Sequence, residues 1–471
     1  MRLRRILLTL AGGLLLLAPV AWAQTTDTDE LERETTEAEE RARAAGEALD
    51  YRAVEDGEPV TYADVLRDPD NVELNFRFAR QQVRRGDVRG AAATLERILL
   101  VNPDLAQVRL IYAVVLFRLD NLDEAEREFR AVAALDIAAD VRAEVDSYLA
   151  RIKRQRQTTR YTASLSLGAH YDTNRPANPR SGTRLFFDTP IVVDREEGDV
   201  GYLGIASLRV DHDLGYQERH ELFGTLTYYH DEQTQQDTQD LQSFIVEAGG
   251  VYRSPFWDID VVPSVFRTHL RLSRETFFQD FGANLRFERE FGPGIKAFAS
   301  TRLSDQTFSP INENTTSQER DGRQIEGMVG AAWAYSPTMR ISGDLLHFDK
   351  RAKGSGGIEF FSYDRDQIRL THTWLLGGGQ FVLNHFSYQR DRYEEPDAAV
   401  SGRTRHDDIF RYRITYGAPL GFFFGPGTLW PEIEDITFTA SGEFLRSRSN
   451  LNNFDFKNFK AQGLLTKTWR F

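Results

Sequence analysis

The chain has 471 residues and no cysteine. This absence excludes disulfide bonds, thiolate metal sites, a cysteine nucleophile and lipid attachment to an N-terminal cysteine. Beyond residue 23 the chain also lacks any apolar run close to the ~18 residues that a transmembrane helix needs, and the longest such run covers only 110–117. A role in a membrane would therefore have to be carried by strands.

Catalytic and metal-binding signatures are missing as well. The nine histidines show no H-x-H, H-x-x-x-H or H-E-x-x-H spacing, and the chain has neither G-x-S-x-G nor G-x-x-x-x-G-K. We therefore expect no catalytic residue, no bound metal, no cofactor and no enzymatic activity. The formal net charge of -13 argues against nucleic-acid binding, because polyphosphate would be repelled.

The N-terminus carries an export signal. Three arginines in the first five residues precede an apolar run at 6–20, which closes on the small-x-small tripeptide Ala-Trp-Ala at 21–23. Such segments are cleaved after export, so we expect a signal peptide at 1–23 and a mature chain that begins at Gln24. Residues 24–60 are acidic and almost free of large apolar side chains, which predicts a disordered or loosely helical arm.

Residues 61–157 follow a helical pattern that repeats. Apolar residues recur at three- and four-residue spacing, and several positions match at an offset of 34: Phe78 with Tyr112, Ala79 with Ala113, Gly86 with Asp120, Ala91 with Ala125 and Leu95 with Phe129. This period resembles the tetratricopeptide repeat, a helix-turn-helix unit of 34 residues. Two repeats need a cover for their apolar faces, and 138–157 predicts a capping helix.

The resemblance implies that the first helix of each pair lines a concave, partner-binding face. By register, that face would offer Glu73, Phe76, Arg80, Val83, Gln107, Leu110, Val114 and Phe117. For Leu110 and Val114, packing against a neighbouring helix is an equal alternative.

From residue 161 to the end the pattern changes to strict alternation of apolar and polar residues, as in 281–288, 367–374 and 410–416. Alternation of this kind fits strands with one face on lipid and the other on a wet lumen. The charged residues placed on the lumen face are Arg286, Glu288, Glu326, Arg369, Arg411, Arg413 and Glu443. A one-residue slip of register would reverse these assignments.

A soluble β-sandwich also alternates, but three features favour a membrane barrel. The predicted strands are long, short turns alternate with long polar loops, and aromatic residues collect near strand ends. We predict fourteen antiparallel strands, at 161–172, 200–213, 219–230, 241–253, 258–269, 276–290, 295–306, 323–335, 338–349, 362–375, 380–390, 405–416, 434–447 and 454–471. The predicted fold is thus tetratricopeptide-like helices at 61–157 followed by an outer-membrane β-barrel at 161–471.

The chain ends on Trp469-Arg470-Phe471, a terminal aromatic preceded by alternating bulky residues. This ending resembles the C-terminal β-signal by which the barrel-assembly machinery of Gram-negative bacteria recognises its substrates. Trp469 and Phe471 are the candidate signal residues.

The whole layout resembles the surface lipoprotein assembly modulator family. The resemblance is carried by the repeat at 71–103, the basic connector at 151–156 and the motif Gly168-x-x-Tyr171-Asp172-x-Asn174 in the first strand. It covers nearly all of 65–471, although the repeat array is short and the acidic arm has no counterpart.

The resemblance implies an outer-membrane translocator that moves a lipoprotein or related soluble client from the periplasm to the cell surface. It also implies that the N-terminal domain lies in the periplasm, where it docks the client or its chaperone. The alternative is a porin or a polysaccharide-exporting barrel with a periplasmic helical domain.

The barrel interpretation predicts that the protein fractionates with outer membranes and migrates faster in a detergent gel before heating than after it, since folded barrels resist the detergent. Membrane fractionation and a gel-shift comparison check both points. Recovery of the protein in the soluble periplasm would end the barrel interpretation.

Overall fold

The computed structural model describes residues 60–471 except 136, 195, 217, 218, 293, 313, 314, 354–358 and 426. The predicted signal peptide at 1–23 and the acidic arm at 24–60, apart from its last residue, lie outside these residues. The described chain divides into two compact units, with the boundary between Arg160 and Tyr161. None of the helices in the described residues combines the length and the hydropathy that a membrane crossing requires.

The first unit is helical. Its helices are α1 (Tyr62–Arg67), α2 (Val72–Arg84), α3 (Val88–Val101), α4 (Ala106–Arg118), α5 (Leu122–Ala133) and α6 (Ala139–Gln155).

Polar caps start three of these helices. The Thr61 side chain accepts a hydrogen bond from the Asp64 amide, and the Asp64 carboxylate accepts one from the Thr61 amide, which forms a capping box on α1. Asn71 caps α2 and Asp87 caps α3 by accepting from the amide three residues on, at 3.0 Å in both cases. These caps satisfy amide groups that a helix cannot pair internally.

The core of the helical unit repeats with the period of the sequence. Helix α4 begins and ends 34 residues after α2, and α5 begins 34 residues after α3. Three of the five matched pairs are fully buried in both halves: Ala79 and Ala113, Ala91 and Ala125, Leu95 and Phe129 all have 0% exposure. The small alanines let neighbouring helices approach each other closely, and the larger side chains of Leu95 and Phe129 fill the space beside them. The helical region is confirmed, while its tetratricopeptide character stays a prediction.

The second unit is built from strands. They are β1 (Thr159–Asp172), β2 (Thr183–Phe186), β3 (Thr189–Val192), β4 (Asp199–Asp213), β5 (Glu221–Gln233), β6 (Leu241–Arg253), β7 (Ile259–Leu272), β8 (Glu275–Glu290), β9 (Ile295–Phe308), β10 (Gly322–Ser336), β11 (Met339–Ala352), β12 (Tyr363–Gly377), β13 (Gln380–Tyr393), β14 (His406–Pro419), β15 (Thr437–Ser449) and β16 (Phe456–Arg470).

Fourteen of these strands form one closed antiparallel barrel, in which β1 pairs with β16 on one side and adjoins β4 on the other. The fold class predicted from the sequence is therefore confirmed. Strands β2 and β3 are the exception, because they form a separate two-stranded sheet inside the first long loop. This small sheet was not predicted from the sequence, because 173–199 lies between the predicted strands 161–172 and 200–213.

The two faces of each barrel strand differ in chemistry. On β12, Ile368, Leu370 and Trp374 are each more than 40% exposed, whereas the alternating Gln367 and Arg369 are 7% and 8% exposed. Side chains alternate between the faces of a strand, so the apolar set lines the outside and the polar set points inward. An apolar exterior and a polar interior are the arrangement of a barrel that spans lipid.

The two ends of the barrel differ in their connections. One end carries tight turns, such as 337–338 and 378–379, together with the start of β1 and the end of β16. The other end carries the long loops, although β7 and β8 meet there in a two-residue turn whose Ser273 and Arg274 have φ of 49° and 66°. We refer to these as the turn end and the loop end.

One connection at the turn end is longer than the others. Between β14 and β15 lie two short helices, α7 (Leu420–Phe424) and α8 (Pro431–Glu434), which the sequence analysis did not predict. This connection exposes the side chains of Phe422, Phe423, Phe424 and Trp430. Exposed aromatic side chains at a barrel end suit the membrane–water interface.

The C-terminal residue closes the seam. The Phe471 amide donates to the Tyr161 carbonyl at 2.9 Å, and the Tyr161 amide donates to the Phe471 carbonyl at 3.2 Å. The Phe471 side chain itself is 61% exposed. It therefore contributes little packing to the folded barrel and is accessible for recognition.

Deleting Phe471 should reduce the amount of assembled barrel, because it removes the terminal aromatic ring and two backbone hydrogen bonds. Phe471→Gly keeps the backbone and removes only the ring, so the same defect in this variant assigns the effect to recognition. Heat-modifiable protein in the outer membrane is the measure. Wild-type assembly in both variants would show that the ending is not a β-signal.

Candidate functional site: the barrel interior

The seven charged residues predicted for the lumen all occupy inward positions on their strands. Each of them is buried or half-buried, and they alternate along their strands with exposed apolar residues. The strands concerned are β8, β10, β12, β14 and β15. Their placement follows from the strand period of two and from the register between neighbours, which pairs Arg413 directly with Glu443.

Most of these side chains form ion pairs across neighbouring strands. Arg413 Nε donates to Glu443 Oε2 at 2.8 Å, while Arg411 Nε lies 3.7 Å from the other carboxylate oxygen of Glu443. Arg369 Nε donates to Asp344 Oδ1 at 2.8 Å. A charge in a poorly solvated interior is costly unless it is paired, so these contacts make the inner wall stable as well as polar.

The remaining predicted lumen residues lie on β8 and β10. Arg286 Nε donates to Glu288 Oε1 at 2.5 Å, and Lys296 also contacts the Glu288 carboxylate. Glu326 accepts from Gln324 Nε2 at 3.4 Å. Positive and negative groups therefore alternate along the wall, and no single sign of charge dominates these contacts.

A second group of ion pairs near the loop end was missed by the sequence analysis. Arg365 binds Asp391 through two hydrogen bonds of 2.7 and 2.9 Å, and Gln389 Nε2 donates to the same carboxylate. Arg405 binds Asp407 through contacts of 2.8 and 2.6 Å. Arg365, Arg405 and Asp407 lie on predicted strands, so their direction was readable from the alternation, whereas Asp391 lies one residue beyond the predicted strand 380–390 and on β13 of the structure.

A buried charge cluster also crosses the closing seam. His170 on β1 has Nε2 2.7 Å from Asp231 Oδ1 on β5 and Nδ1 3.0 Å from Asp172 Oδ2. On the other side, Asn458 Nδ2 on β16 donates to Asp172 Oδ1 at 2.7 Å. The cluster thus connects β16, β1 and β5, and it holds together the part of the barrel where the first and last strands meet.

The first long loop is fastened to the same cluster. Arg175 Nη2 donates to Asp231 Oδ2 at 3.1 Å and to the carbonyl of Gln239 at 3.1 Å. Burial acts to lower the pKa of Arg175, but the adjacent carboxylates of Asp231 and Asp172 outweigh it and raise that pKa above its ordinary value. Arg175 therefore stays charged and anchors the loop over the loop end.

A glycine on the strand between makes the His170–Asp231 contact possible. A Cβ at Gly201 of β4 would lie 2.4 Å from His170 Nε2, closer than real atoms approach. Gly201 thus leaves the space through which a β1 side chain reaches a β5 side chain.

In the described residues, no group of three or more His, Asp or Glu is arranged to hold a metal ion.

The residues predicted for the concave face of the helices lie in varied surroundings. Phe76, Leu110 and Val114 are buried in the helical core, so they are packing residues and not surface contacts. The packing alternative left open for Leu110 and Val114 accounts for both. Helix α4 is buried along most of its length because α3 and α5 pack against it.

The other residues of that predicted face are more accessible. Glu73 and Gln107 are exposed, whereas Arg80 and Val83 are half-buried. Phe117 is also half-buried, and its ring packs edge-on against Tyr148 of α6 with 5.5 Å between the centroids.

The closed sheet, the apolar exterior and the ion-paired interior define a β-barrel protein of the outer membrane. No protein-family model and no curated protein sequence matches the chain. Several solved structures show a distant similarity.

The outer-membrane protein OpdK of Pseudomonas aeruginosa is 9% identical, with a TM-score of 0.31, over 66% of this chain and 99% of its own. A loop-deletion mutant of OmpT, an outer-membrane protein of Vibrio cholerae, is 10% identical, with a TM-score of 0.34, over 66% and 100%. The type III secretion chaperone SycD of Yersinia enterocolitica, bound to a peptide of YopD, covers 27% of this chain and 96% of its own at 16% identity and a TM-score of 0.20. At these TM-scores the similarity carries no argument about the function of this chain.

Gly201→Ala should destabilise the barrel by about 1–3 kcal/mol, because the added methyl group forces His170 away from Asp231 in a packed interior. Gly204→Ala on the same strand is the control, since its Cβ would meet only Leu167 Cδ2, at 3.7 Å. Urea unfolding of each variant in lipid vesicles measures the difference. Equal stability of the two variants would contradict a role for the cluster in closing the seam.

Proposed function

We propose that this protein is an outer-membrane translocator that helps to move an exported lipoprotein or related soluble protein from the periplasm to the cell surface. The observation that carries the proposal is the direct continuity of the two units. Helix α6 ends at Gln155 and β1 begins at Thr159, so only three residues connect the last helix to the first barrel strand. A client bound by the helices would thereby be joined to the barrel through the same polypeptide chain.

The topology supports a periplasmic location for the helical unit. An even number of strands brings the start of β1 and the end of β16 to the turn end. Transmembrane barrels of bacteria have short periplasmic turns and longer outer loops. In that orientation, the chain enters the barrel from the periplasm, where a client would arrive after export.

The helical unit offers apolar surface to a client. Tyr62 and Leu66 of α1 are exposed, and so are Leu100 and Val101 at the end of α3, where Leu100 reaches 80%. Apolar side chains that are open to solvent gain free energy when a partner covers them. We propose these four residues as docking contacts, in place of the buried members of the face predicted from the sequence.

Two routes are open to a client. Passage through the lumen requires movement past the ion pairs of the inner wall. Passage through the seam requires β1 and β16 to separate along eleven residue pairs and requires the hydrogen bond from Asn458 to Asp172 to break. Because a strand edge cannot be left unpaired in lipid, a seam route would need a client strand to pair as the seam parts.

The second candidate is a porin. Its support is the polar inner wall, which would interact with small charged solutes that pass the lumen. Polysaccharide export is less well supported, since it would favour a lumen rich in one sign of charge, and here Arg413 with Glu443, Arg369 with Asp344 and Arg365 with Asp391 alternate in sign.

Removing residues 61–157 while keeping the signal and the barrel should abolish surface display of a specific set of lipoproteins or exported proteins, because the docking surface is lost. Protease shaving of intact cells followed by mass spectrometry measures surface display. Heat-modifiable migration must show that the shortened barrel still folds.

A point variant sharpens the same experiment. Tyr62→Ser combined with Leu100→Ser should reproduce the loss, whereas Arg127→Ala, a change at an exposed residue of α5 outside both proposed surfaces, should not. Unchanged surface display in the deletion strain, together with altered swelling of sugar-loaded liposomes that contain the protein, would replace the translocator with the porin.

A further inference from the structure

Three basic residues follow one another on the outer face of β7. Arg267, His269 and Arg271 occupy alternate positions of the strand. They share a face with Val265, which is 52% exposed, whereas Leu270 on the other face is 1% exposed. Because side chains alternate between the two faces of a strand, these three point away from the lumen and toward the lipid. We refer to them as the β7 stripe.

The strands on both sides of β7 leave the charge of this stripe unbalanced. All six residues directly opposite the stripe are uncharged. They are Val246, Phe244 and Gln242 on β6, and Phe281, Gln279 and Thr276 on β8. A carboxylate at one of these positions would neutralise an arginine of the stripe, and none of the six supplies it.

Within the described residues, the two arginines of the stripe donate only to neutral oxygens. Arg267 Nη2 donates to the Gln279 side-chain oxygen at 3.0 Å, and Arg271 Nη1 donates to the Gln242 side-chain oxygen at 3.2 Å. Arg271 also donates to the carbonyl of Arg274. Since a guanidinium has five N–H donors and is always charged, both arginines keep donors for an anionic partner.

Arginines on the outer face of another strand are treated differently. Arg390 of β13 donates to Asp408 at 2.8 Å, and Arg392 of the same strand donates to Asp366 at 2.6 Å. Both pairs lie near the loop end, as the β7 stripe does. Outward arginines of this barrel can therefore be neutralised by its own carboxylates, and those of β7 are not.

The β7 stripe lies where the apolar surface of the barrel ends. Phe281, beside Arg267, is 61% exposed, and Phe244, opposite His269, has its ring 4.6 Å from that of Tyr228. Exposed aromatic residues of a barrel mark the membrane–water interface. The strand ends one residue after Arg271. The stripe is therefore at the level of the lipid head groups, where an outward charge costs little.

The two guanidinium groups are directed to opposite sides of the strand. Arg267 donates toward β8 and Arg271 toward β6. Their Cα atoms are separated by four residues, which corresponds to about 13 Å along a strand. This spacing suits two separate phosphates better than a single phosphate shared between the arginines.

We propose that the β7 stripe binds the head group of a lipid in the outer leaflet that carries two phosphates, as the glycolipid lipid A does. Arg267 and Arg271 each take one phosphate through parallel N–H···O bonds, and the acyl chains lie on Val265 and Phe281. The inference rests on the orientation given under the proposed function, with the loop end outside. It does not need a client, because the barrel alone forms the site.

The test uses the full-length protein in detergent micelles and native mass spectrometry, which measures the fraction of protein that carries a bound lipid. The probes are diphosphoryl lipid A and monophosphoryl lipid A. We expect the diphosphoryl form to bind about tenfold more tightly, since the monophosphoryl form leaves one arginine without its phosphate. Inorganic phosphate at the concentration of the lipid should not displace it, because it has no acyl chains.

Arg267→Gln combined with Arg271→Gln should weaken binding of diphosphoryl lipid A by about tenfold or more, and lysine at both positions should restore part of it. Arg390→Gln combined with Arg392→Gln is the matched control and should leave binding unchanged, since these outward arginines are engaged by Asp408 and Asp366. Heat-modifiable migration checks the fold of each variant. Arg271→Gln alone, at the end of the strand, replaces the double variant if that variant does not fold.

Three results would each overturn the proposal: equal binding of the two forms of lipid A, displacement of the lipid by inorganic phosphate, and wild-type binding in the folded stripe variant. All of them are measured on the purified barrel without a client. They are thus independent of the surface display that tests the translocator.

Discussion

Backbone amides and carbonyls inside a membrane find no water to bind, so a sheet that crosses lipid has to close on itself. In this protein the closure is made between β1 and β16, whose eleven paired residues join strands that lie almost 300 residues apart in the chain. The His170 cluster and the two Phe471 backbone bonds reinforce the same junction. Every other feature of the barrel, including which face is wet, presupposes that this pairing forms.

The charged side chains that point into the barrel also have to be stabilised. Many inward positions carry charge, and desolvated charges destabilise a fold unless they are paired. The barrel pairs them mainly between adjacent strands, as in Arg413 with Glu443 and Arg365 with Asp391.

The helical unit follows different rules, because its stability comes from packed apolar side chains. Its two halves bury the same positions 34 residues apart, and α4 is enclosed by its neighbours. With only two such pairs, the first helices of each pair serve as core as much as surface. This explains why Phe76, Leu110 and Val114, which a longer repeat array would present to a partner, are buried here. The exposed apolar residues lie instead on α1 and at the end of α3.

The sequence by itself determined the type of the fourteen barrel strands and of the helices at 61–157, and the direction of their side chains. Alternation at 367–374 separated Arg369 from Leu370, and the 34-residue offset matched Ala79 with Ala113, because a strand repeats every two residues and a helix every 3.6. Only the tertiary structure decided which strands became neighbours and which loops met. His170 contacts Asp231 from 61 positions away, and a pocket at the loop end is lined by residues from Gln306 to Phe454. Such contacts depend on the closure and register of the whole sheet. The periodicity of a short stretch of sequence does not report either of them.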